Sequence, residues 1–142
     1  MNELKINAKQ KGAIAMLTVQ LEAQKRGYKI SIPTTEERYD LILDVNNKLY
    51  RTQIKYVDAL HSASKKKPQN ISVELRIDAL RTGGSHKQRK VYSKSEIDLM
   101  LIYVPKVNAV LAYHPEFFHN KRSIRINISN HQTKMYYKKH LW

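Results

Sequence analysis

The stretch "RYDLILDVNNKLYRTQIKY", residues 38–56, carries the clearest fold signal in the sequence. Two runs of strand-forming residues, 39–45 and 48–57, flank the pair Asn46 and Asn47. Asparagine tolerates the positive φ angles that a two-residue hairpin turn requires. The stretch therefore predicts an antiparallel β-hairpin with these two asparagines at its turn.

The register of this hairpin brings three polar side chains to one face. A two-residue turn places Asp40 directly opposite Gln53, and opposed residues share a face. Lys55 lies two positions beyond Gln53, so it points to the same side and comes within diagonal reach of Asp40. A change of one residue in the loop would move Asp40 to the other face, so the prediction depends on this register.

A carboxylate, an amide and an ammonium group together suit the hydrolysis of a phosphodiester. Asp40 is a candidate ligand of Mg²⁺, with the Gln53 side-chain oxygen and the Ile54 backbone carbonyl as further oxygen ligands. Lys55 would orient the attacking water and stabilise the developing charge. The competing interpretation is an exposed salt bridge between Asp40 and Lys55, which spacing alone favours because this pattern is weakly specific.

The rest of the chain predicts an α/β (α+β) protein with a long N-terminal helix, a mixed sheet and some helix after it. The helix is expected over residues 7–26, with Ala13, Leu17 and Leu21 four apart and Gly27 at its end. Strands are expected at 28–33, 71–77, 98–104, 109–113 and 124–128, basic or flexible loops at 61–70 and 81–90, and a short amphipathic helix at 135–142. With 142 residues and 42% apolar residues, a single domain spanning 1–142 is expected.

The net charge points to a polyanionic partner. There are 26 Lys and Arg against 12 Asp and Glu, which gives +14, and no acid follows Glu116. Such an excess is costly through self-repulsion, and we expect nucleic acid as the partner that neutralises it. The alternative is a solvated basic surface that binds nothing. An anionic membrane suits the chain less well, because no segment combines a basic face with one rich in Trp or Phe.

Several other classes lack their signals. The absence of cysteine excludes disulfides and thiolate zinc sites. With no apolar N-terminal segment and no stretch long enough to cross a bilayer, we expect a cytoplasmic protein. The histidines lack zinc-site spacing, and Gly83-Gly84 lacks the Walker pattern, so no nucleotide cofactor is expected.

Basic and polar residues outside the hairpin are candidate DNA contacts. Arg38 beside the site either holds Asp40, touches phosphate or is simply solvated. The candidate phosphate contacts are Arg38, Lys65, Lys66, Lys67, Arg81, Lys87, Arg89 and Lys90, and the candidates for reading bases are Arg76, Gln88, Arg125 and Asn127.

Four segments resemble the PD-(D/E)XK nuclease superfamily: "KGAIA", "GYKISIP", residues 38–56 and, more loosely, "IDLMLIYVP". The sequence is most similar to the branch of small group I intron-encoded homing endonucleases, in which Gln replaces the second acid. The resemblance implies a restriction-endonuclease-like core, with a mixed β-sheet flanked by helices. It also implies a catalytic site of Asp40, Gln53 and Lys55 that uses Mg²⁺ or another divalent cation.

One position departs from the family pattern. Members commonly carry a Glu just after the "KGxxA" segment, where this chain has Met16. A thioether is a poor Mg²⁺ ligand. Gln20 lies on roughly the same helix face, whereas Glu22 points elsewhere. A weakened enzyme, an engineered substitution and a relative that only binds DNA all remain open.

The leading hypothesis is a Mg²⁺-dependent endonuclease acting on double-stranded DNA, by resemblance a homing enzyme. Cutting both strands with one site per subunit predicts a homo-oligomer, a dimer or a tetramer. The alternatives are a Holliday-junction resolvase-like nuclease and a catalytically impaired DNA-binding relative. RNA binding ranks lowest, because no RNP-type aromatic motif is present.

Overall fold

The structure is a computed structural model that describes residues 5–58, 70–74, 76–78, 89–127 and 140–142. In chain order the elements are α1 (Ala8–Lys25), β1 (Lys29–Ser31), β2 (Leu41–Val45), β3 (Lys48–Tyr56), β4 (Asn70–Glu74), β5 (Arg76–Asp78), β6 (Arg89–Val91), β7 (Leu99–Val104), a 3₁₀ turn (Pro105–Val107), β8 (Ala109–Tyr113), α2 (Pro115–Phe118) and β9 (Ser123–Asn127). None of the described helices combines the length and the apolar character needed to cross a membrane.

Helix α1 begins and ends where local chemistry predicts. The Asn7 side chain accepts a hydrogen bond from the Gln10 backbone at 2.9 Å, and the Gln10 side chain accepts one from the Asn7 backbone at 2.7 Å. This capping box satisfies two amides that have no partner within the helix. Gly27, with φ of 72°, follows the C-cap residue Arg26 and ends the helix.

The face of α1 that packs on the sheet consists of small residues. Ala15, Val19 and Ala23 are buried, whereas Leu17 and Leu21 are 66% and 56% exposed. Small side chains let the helix axis approach the sheet closely. The spacing of the leucines therefore indicates the helix but not its buried face.

The hairpin forms with the expected turn and register. Asn46 and Asn47 have φ angles of 54° and 65°, as a type I′ turn requires. The Asn47 N–H also donates to the Asp44 carboxylate at 3.0 Å. The paired residues run from Val45 with Lys48 at the turn to Leu41 with Thr52.

The regular pairing stops one residue short of the predicted pair of Asp40 and Gln53. The Asp40 N–H donates to the Thr52 carbonyl at 2.9 Å, although Thr52 is already the partner of Leu41. Two residues of one strand thus face one residue of the other, as in a β-bulge. The direct Asp40–Gln53 pairing was therefore wrong, because this extra residue turns Asp40 out of the ladder.

The main sheet has the order β1-β2-β3-β7-β8. Strands β3 and β7 are parallel and the other neighbours are antiparallel, which confirms the predicted mixed sheet. Two smaller antiparallel pairs, β4 with β9 and β5 with β6, complete the described strands. Strand β6 includes Arg89 and Lys90, so the loop predicted over 81–90 was wrong at that end.

Apolar clusters lie on both sides of the main sheet. One packs α1 against Leu41, Leu43 and Ile54, and the other includes Val57 and Tyr92. Side chains alternate along a strand, so Gln53 and Lys55 point away from the α1 face, toward the side that contains Tyr92. This alternation places the candidate catalytic side chains opposite the helix.

The end of the chain extends the sheet. Leu141 forms a bridge with Leu111, and the Trp142 N–H donates to the Val110 carbonyl at 3.0 Å. Residues 131–139, which include most of the predicted tail helix, lie outside the described residues, as do 61–69 and 81–88 of the predicted loops.

Candidate active site

Asp40 is held against strand β3 by its own side chain. Its Oδ2 accepts a hydrogen bond from the Ile54 N–H at 2.7 Å. Burial raises the pKa of the Asp40 carboxyl, while this hydrogen bond and the charge of Lys55 act in the opposite direction. The site thus contains a partly desolvated carboxylate in a fixed orientation.

Gln53 also contacts Ile54, at its backbone carbonyl. The Gln53 Nε2 donates to the Ile54 carbonyl at 3.3 Å. The Asp40 carboxylate, the Gln53 amide and the Ile54 carbonyl therefore meet around one residue of β3. These are the three groups that the sequence predicts as oxygen ligands of a cation.

The Lys55 ammonium lies 5.3 Å from the centroid of the Tyr92 ring. Tyr92 is fully buried, and burial raises the pKa of its phenol. Burial raises the pKa of the Asp40 carboxyl, and Lys55 is close enough for its charge to offset part of that rise. Sequence reasoning missed Tyr92, because a single tyrosine among nine in a basic segment gives no local signal.

Arg38 is engaged with the protein on several sides. Its Nη2 donates to the Val91 carbonyl at 2.8 Å, its Nε lies 3.4 Å from Glu96 Oε1, and its guanidinium lies 4.7 Å from the Tyr92 ring centroid. Its side chain is 22% exposed. The phosphate contact proposed for Arg38 stays a prediction.

Met16 packs against the apolar cluster beneath α1 that also contains Ile54. The helix position at which the resemblance leads us to expect an acid thus holds a half-buried thioether near the strand that carries the proposed site. Gln20, the nearest polar replacement on the helix, is half-buried one turn further along.

Five of the predicted DNA contacts lie on described strands outside the main sheet. Arg76, Arg89 and Lys90 belong to the β5–β6 pair, and Arg125 and Asn127 belong to β9. Apart from Arg38, the other candidates lie outside the described residues: Lys65, Lys66, Lys67, Arg81, Lys87 and Gln88. Strands β5 and β6 thus bring three of the candidates onto one two-stranded ribbon.

The donor set at Asp40 suits a hard divalent cation. Within the described ranges, no group of three or more His, Cys, Asp or Glu side chains is arranged to hold a metal. Mg²⁺ needs no such cage, because it prefers oxygen ligands and keeps several waters beside one or two carboxylates. One carboxylate, one amide and one backbone carbonyl are therefore a sufficient protein contribution.

A known structure shares the fold of this chain, and a family model matches its sequence. A solved structure described as a bacterial homing endonuclease, I-Ssp6803I, matches with a TM-score of 0.73 and 24% sequence identity, covering 96% of this chain and 89% of that chain. At this identity the likeness confirms the restriction-endonuclease-like fold. No curated protein matches the sequence. A family model described as PD-(D/E)XK endonuclease matches residues 6–140, which include α1 and the whole hairpin. The chain therefore belongs to the PD-(D/E)XK endonuclease family.

Proposed function

We propose that this endonuclease hydrolyses phosphodiester bonds of double-stranded DNA with Mg²⁺ or another divalent cation, through Asp40, Gln53 and Lys55. The observation that carries the proposal is the 2.7 Å hydrogen bond from the Ile54 N–H to the Asp40 carboxylate, beside the charge of Lys55. A desolvated carboxylate next to a cation is typical of functional sites.

Asp40 supplies the negative charge of the site. Its ionised form is the one that binds a cation; burial raises the pKa of the carboxyl and opposes that form, whereas the Ile54 N–H and the charge of Lys55 favour it. When bound, the cation would lower the pKa of a water and neutralise phosphate charge. Asp40 and the Ile54 carbonyl would hold it at the β3 end of the site.

Gln53 would change its hydrogen bond when the cation binds. Its Nε2 now donates to the Ile54 carbonyl. Rotating the amide by half a turn would present Oε1 instead and release that carbonyl. Two neutral oxygens would then be available as ligands beside the carboxylate, at the cost of one weak hydrogen bond.

Lys55 would act on the phosphate and on the attacking water. It lies on the same side of the sheet as Gln53, and its ammonium has three donors and a compact charge. A preoriented cation at this position stabilises the negative charge that develops on the phosphoryl oxygens. Its role thus requires a fixed position relative to Asp40.

Plasmid nicking in Mg²⁺ tests the site. We expect Lys55→Ala to lower the single-turnover rate by roughly 10²- to 10³-fold while DNA affinity in EDTA changes little. Lys48→Ala, which removes the same charge from the turn end of β3, is the matched control and should nick at the wild-type rate. Equal rates for the wild type and Lys55→Ala would contradict the proposal. DNA binding by a wild type that does not nick would favour the impaired relative that Met16 suggests.

We further propose a site-specific, homing-type enzyme that works as a homo-oligomer, a dimer or a tetramer, of single-domain subunits spanning 1–142. Its support is the fold likeness to a protein described as a homing endonuclease, together with the need for two sites to cut two strands. The protein should cut a long duplex library at few positions and sediment as more than one subunit. Preferential cleavage of a four-way junction would instead favour a resolvase-like nuclease.

A further inference from the structure

Tyr92 lies beside the proposed site but supplies none of its ligands. It directly follows β6 and precedes β7, and its side chain is 0% exposed. Two cations lie over its ring: the Arg38 guanidinium at 4.7 Å and the Lys55 ammonium at 5.3 Å from the centroid. Both distances are within the range at which the ring quadrupole attracts a cation, and burial strengthens that attraction.

The ring is itself held in place. Arg38 donates to the carbonyl of Val91, the residue before Tyr92, at 2.8 Å and lies 3.4 Å from Glu96. Glu96 Oε2 in turn accepts hydrogen bonds from the Ser93 N–H and hydroxyl, each at 3.2 Å. Contacts on both sides of Tyr92 therefore fix its backbone and its ring relative to Arg38.

Unlike the ring, the hydroxyl of Tyr92 holds no neighbouring group by a hydrogen bond among the described residues. In the described part of the chain it is one of two buried side-chain polar atoms without a hydrogen-bond partner, and the other is Arg38 Nε in the same cluster. An unpaired buried hydroxyl is unfavourable. The position thus uses the aromatic ring rather than the phenol group, and phenylalanine should serve as well.

We propose that Tyr92 is a positioning residue of the nuclease site, whose ring, supported by Arg38 and Glu96, holds the Lys55 ammonium in place beside Asp40. The catalytic part of this inference rests on the proposed function of Lys55. The contact between the ring and Lys55 does not depend on that function. A positional restraint on Lys55 affects the rate more than DNA binding, since a small displacement of a charged group weakens transition-state stabilisation.

Kinetics of ring-keeping and ring-removing variants test the catalytic part. We expect Tyr92→Phe to keep kcat for nicking within about twofold, and Tyr92→Leu to lower it about tenfold with KM for DNA changed less than about threefold. Tyr92→Met is a second variant without a ring, and its flexible side chain can fill the space that the ring leaves. It replaces the Leu variant if that variant does not fold. Equal kcat for the Phe variant and either folded ring-less variant would overturn the proposal.

NMR of the Lys55 ε-methylene protons tests the contact without any cleavage. The ring should shift these signals upfield in the wild type and in Tyr92→Phe, and the shift should vanish in a ring-less variant. The Lys55→Arg spectrum assigns the signals. A Lys55 shift that is the same with and without the ring would overturn the proposal. If the wild type nicks no DNA while the ring-dependent shift is present, the proposed function fails and the contact stands.

Discussion

Asp98, the residue directly before β7, forms a bidentate ion pair with Arg51 of the neighbouring parallel strand β3. Arg51 Nε donates to Asp98 Oδ2 at 2.9 Å, and Nη2 donates to Oδ1 at 2.8 Å. Their backbones also bond, since the Asp98 N–H donates to the Arg51 carbonyl at 2.9 Å. These bonds lie directly before the first β3–β7 pair, Thr52 with Leu99. The ion pair therefore sets the register of the strand that lies beside Gln53 and Lys55.

Asp98→Asn should destabilise the fold in a pH-dependent manner. The hydrogen bond from Arg51, chiefly, holds the pKa of the Asp98 carboxyl below its ordinary 3.8. A lowered folded-state pKa contributes stability above 3.8 that is lost as the pH falls through the lowered value. Because both side chains are about one-third exposed, we expect a loss of about 1 kcal/mol at pH 7.

Urea denaturation at pH 7, and again well below pH 3.8, measures this effect. The difference between the wild type and Asp98→Asn should shrink at the lower pH. Glu36→Gln removes an exposed carboxylate and should change stability at neither pH. An unchanged midpoint for Asp98→Asn at pH 7 would mean that backbone pairing alone sets the register.

Asp40→Asn should stabilise the metal-free protein. It should also abolish the nicking of DNA in Mg²⁺. Burial raises the pKa of Asp40, so the ionised carboxylate opposes folding above its ordinary pKa of 3.8, and this cost disappears as the pH falls below it. Asparagine keeps an oxygen for the Ile54 N–H. We expect a gain on the order of 1 kcal/mol at pH 7, as is common at sites where function opposes stability.

Thermal unfolding in EDTA, paired with nicking in Mg²⁺, decides this prediction. Asp44→Asn removes the same charge from β2 while keeping an acceptor for the Asn47 N–H, and should leave activity unchanged. A lower melting temperature for Asp40→Asn in EDTA at pH 7 would show that the carboxylate is structural.

Gln53→Glu should strengthen divalent cation binding. The substitution adds a second carboxylate next to Asp40 and removes the amide that donates to the Ile54 carbonyl. Carboxylates are better ligands of hard cations than amides, so we expect the Mg²⁺ Kd to fall roughly tenfold. Titration calorimetry measures it, with Gln53→Ala as the variant that should bind more weakly. Equal affinity in the wild type and both variants would remove Gln53 from the site.

The parts of the fold that sequence reasoning found are those encoded by neighbouring residues. Two asparagines determine the turn, and the alternation around it determines which face Gln53 and Lys55 share. The bulge at Asp40 could not be predicted from the sequence, because it depends on the hydrogen bond from the Asp40 N–H to the Thr52 carbonyl across the hairpin. No local sequence pattern indicates this bond. The hairpin therefore has the expected register up to Leu41 and Thr52, and only the placement of Asp40 beyond that pair differs from the prediction.

Other features depend on contacts between residues far apart in sequence. Tyr92 becomes recognisable only when folding brings it to Arg38 and Lys55. The short strand β6 consists largely of charged residues, so it lacks the apolar alternation that indicates a strand. On α1, the leucines suggest a core face, but close packing favours the smaller Ala15 and Ala23.

DNA affinity should fall steeply with salt. The net charge is +14, and an interface with roughly six to ten phosphate contacts would make Kd rise roughly 10³- to 10⁵-fold between about 50 and 200 mM salt. Removing the charges of Arg89 and Lys90 on β6 should lower the log–log slope by about two. Fluorescence anisotropy in EDTA measures it, with Lys9→Gln/Lys25→Gln on α1 as the charge-matched control. Equal slopes for the two double variants would exclude β6 from the interface.

Met16→Glu should restore cation affinity at the expense of stability. Met16 is half-buried against the cluster that contains Ile54, so a carboxylate there is partly desolvated. We expect the metal-free protein to lose about 1 to 3 kcal/mol. In return, the added carboxylate offers the hard ligand that the thioether lacks, provided that it reaches the cation past Ile54 from the helix side of the sheet.

Mg²⁺-dependent thermal unfolding separates these two effects, since ligand binding stabilises the folded state in proportion to its affinity. Met16→Glu should melt lower than the wild type in EDTA, show a larger upward shift in Mg²⁺, and nick plasmid faster. Met16→Gln has about the same size without the charge, so it should melt lower in EDTA and show a Mg²⁺ shift no larger than that of the wild type. If the Mg²⁺ shift of Met16→Glu matches that of Met16→Gln, the helix position lies beyond reach of the cation, and the site works with the single carboxylate of Asp40.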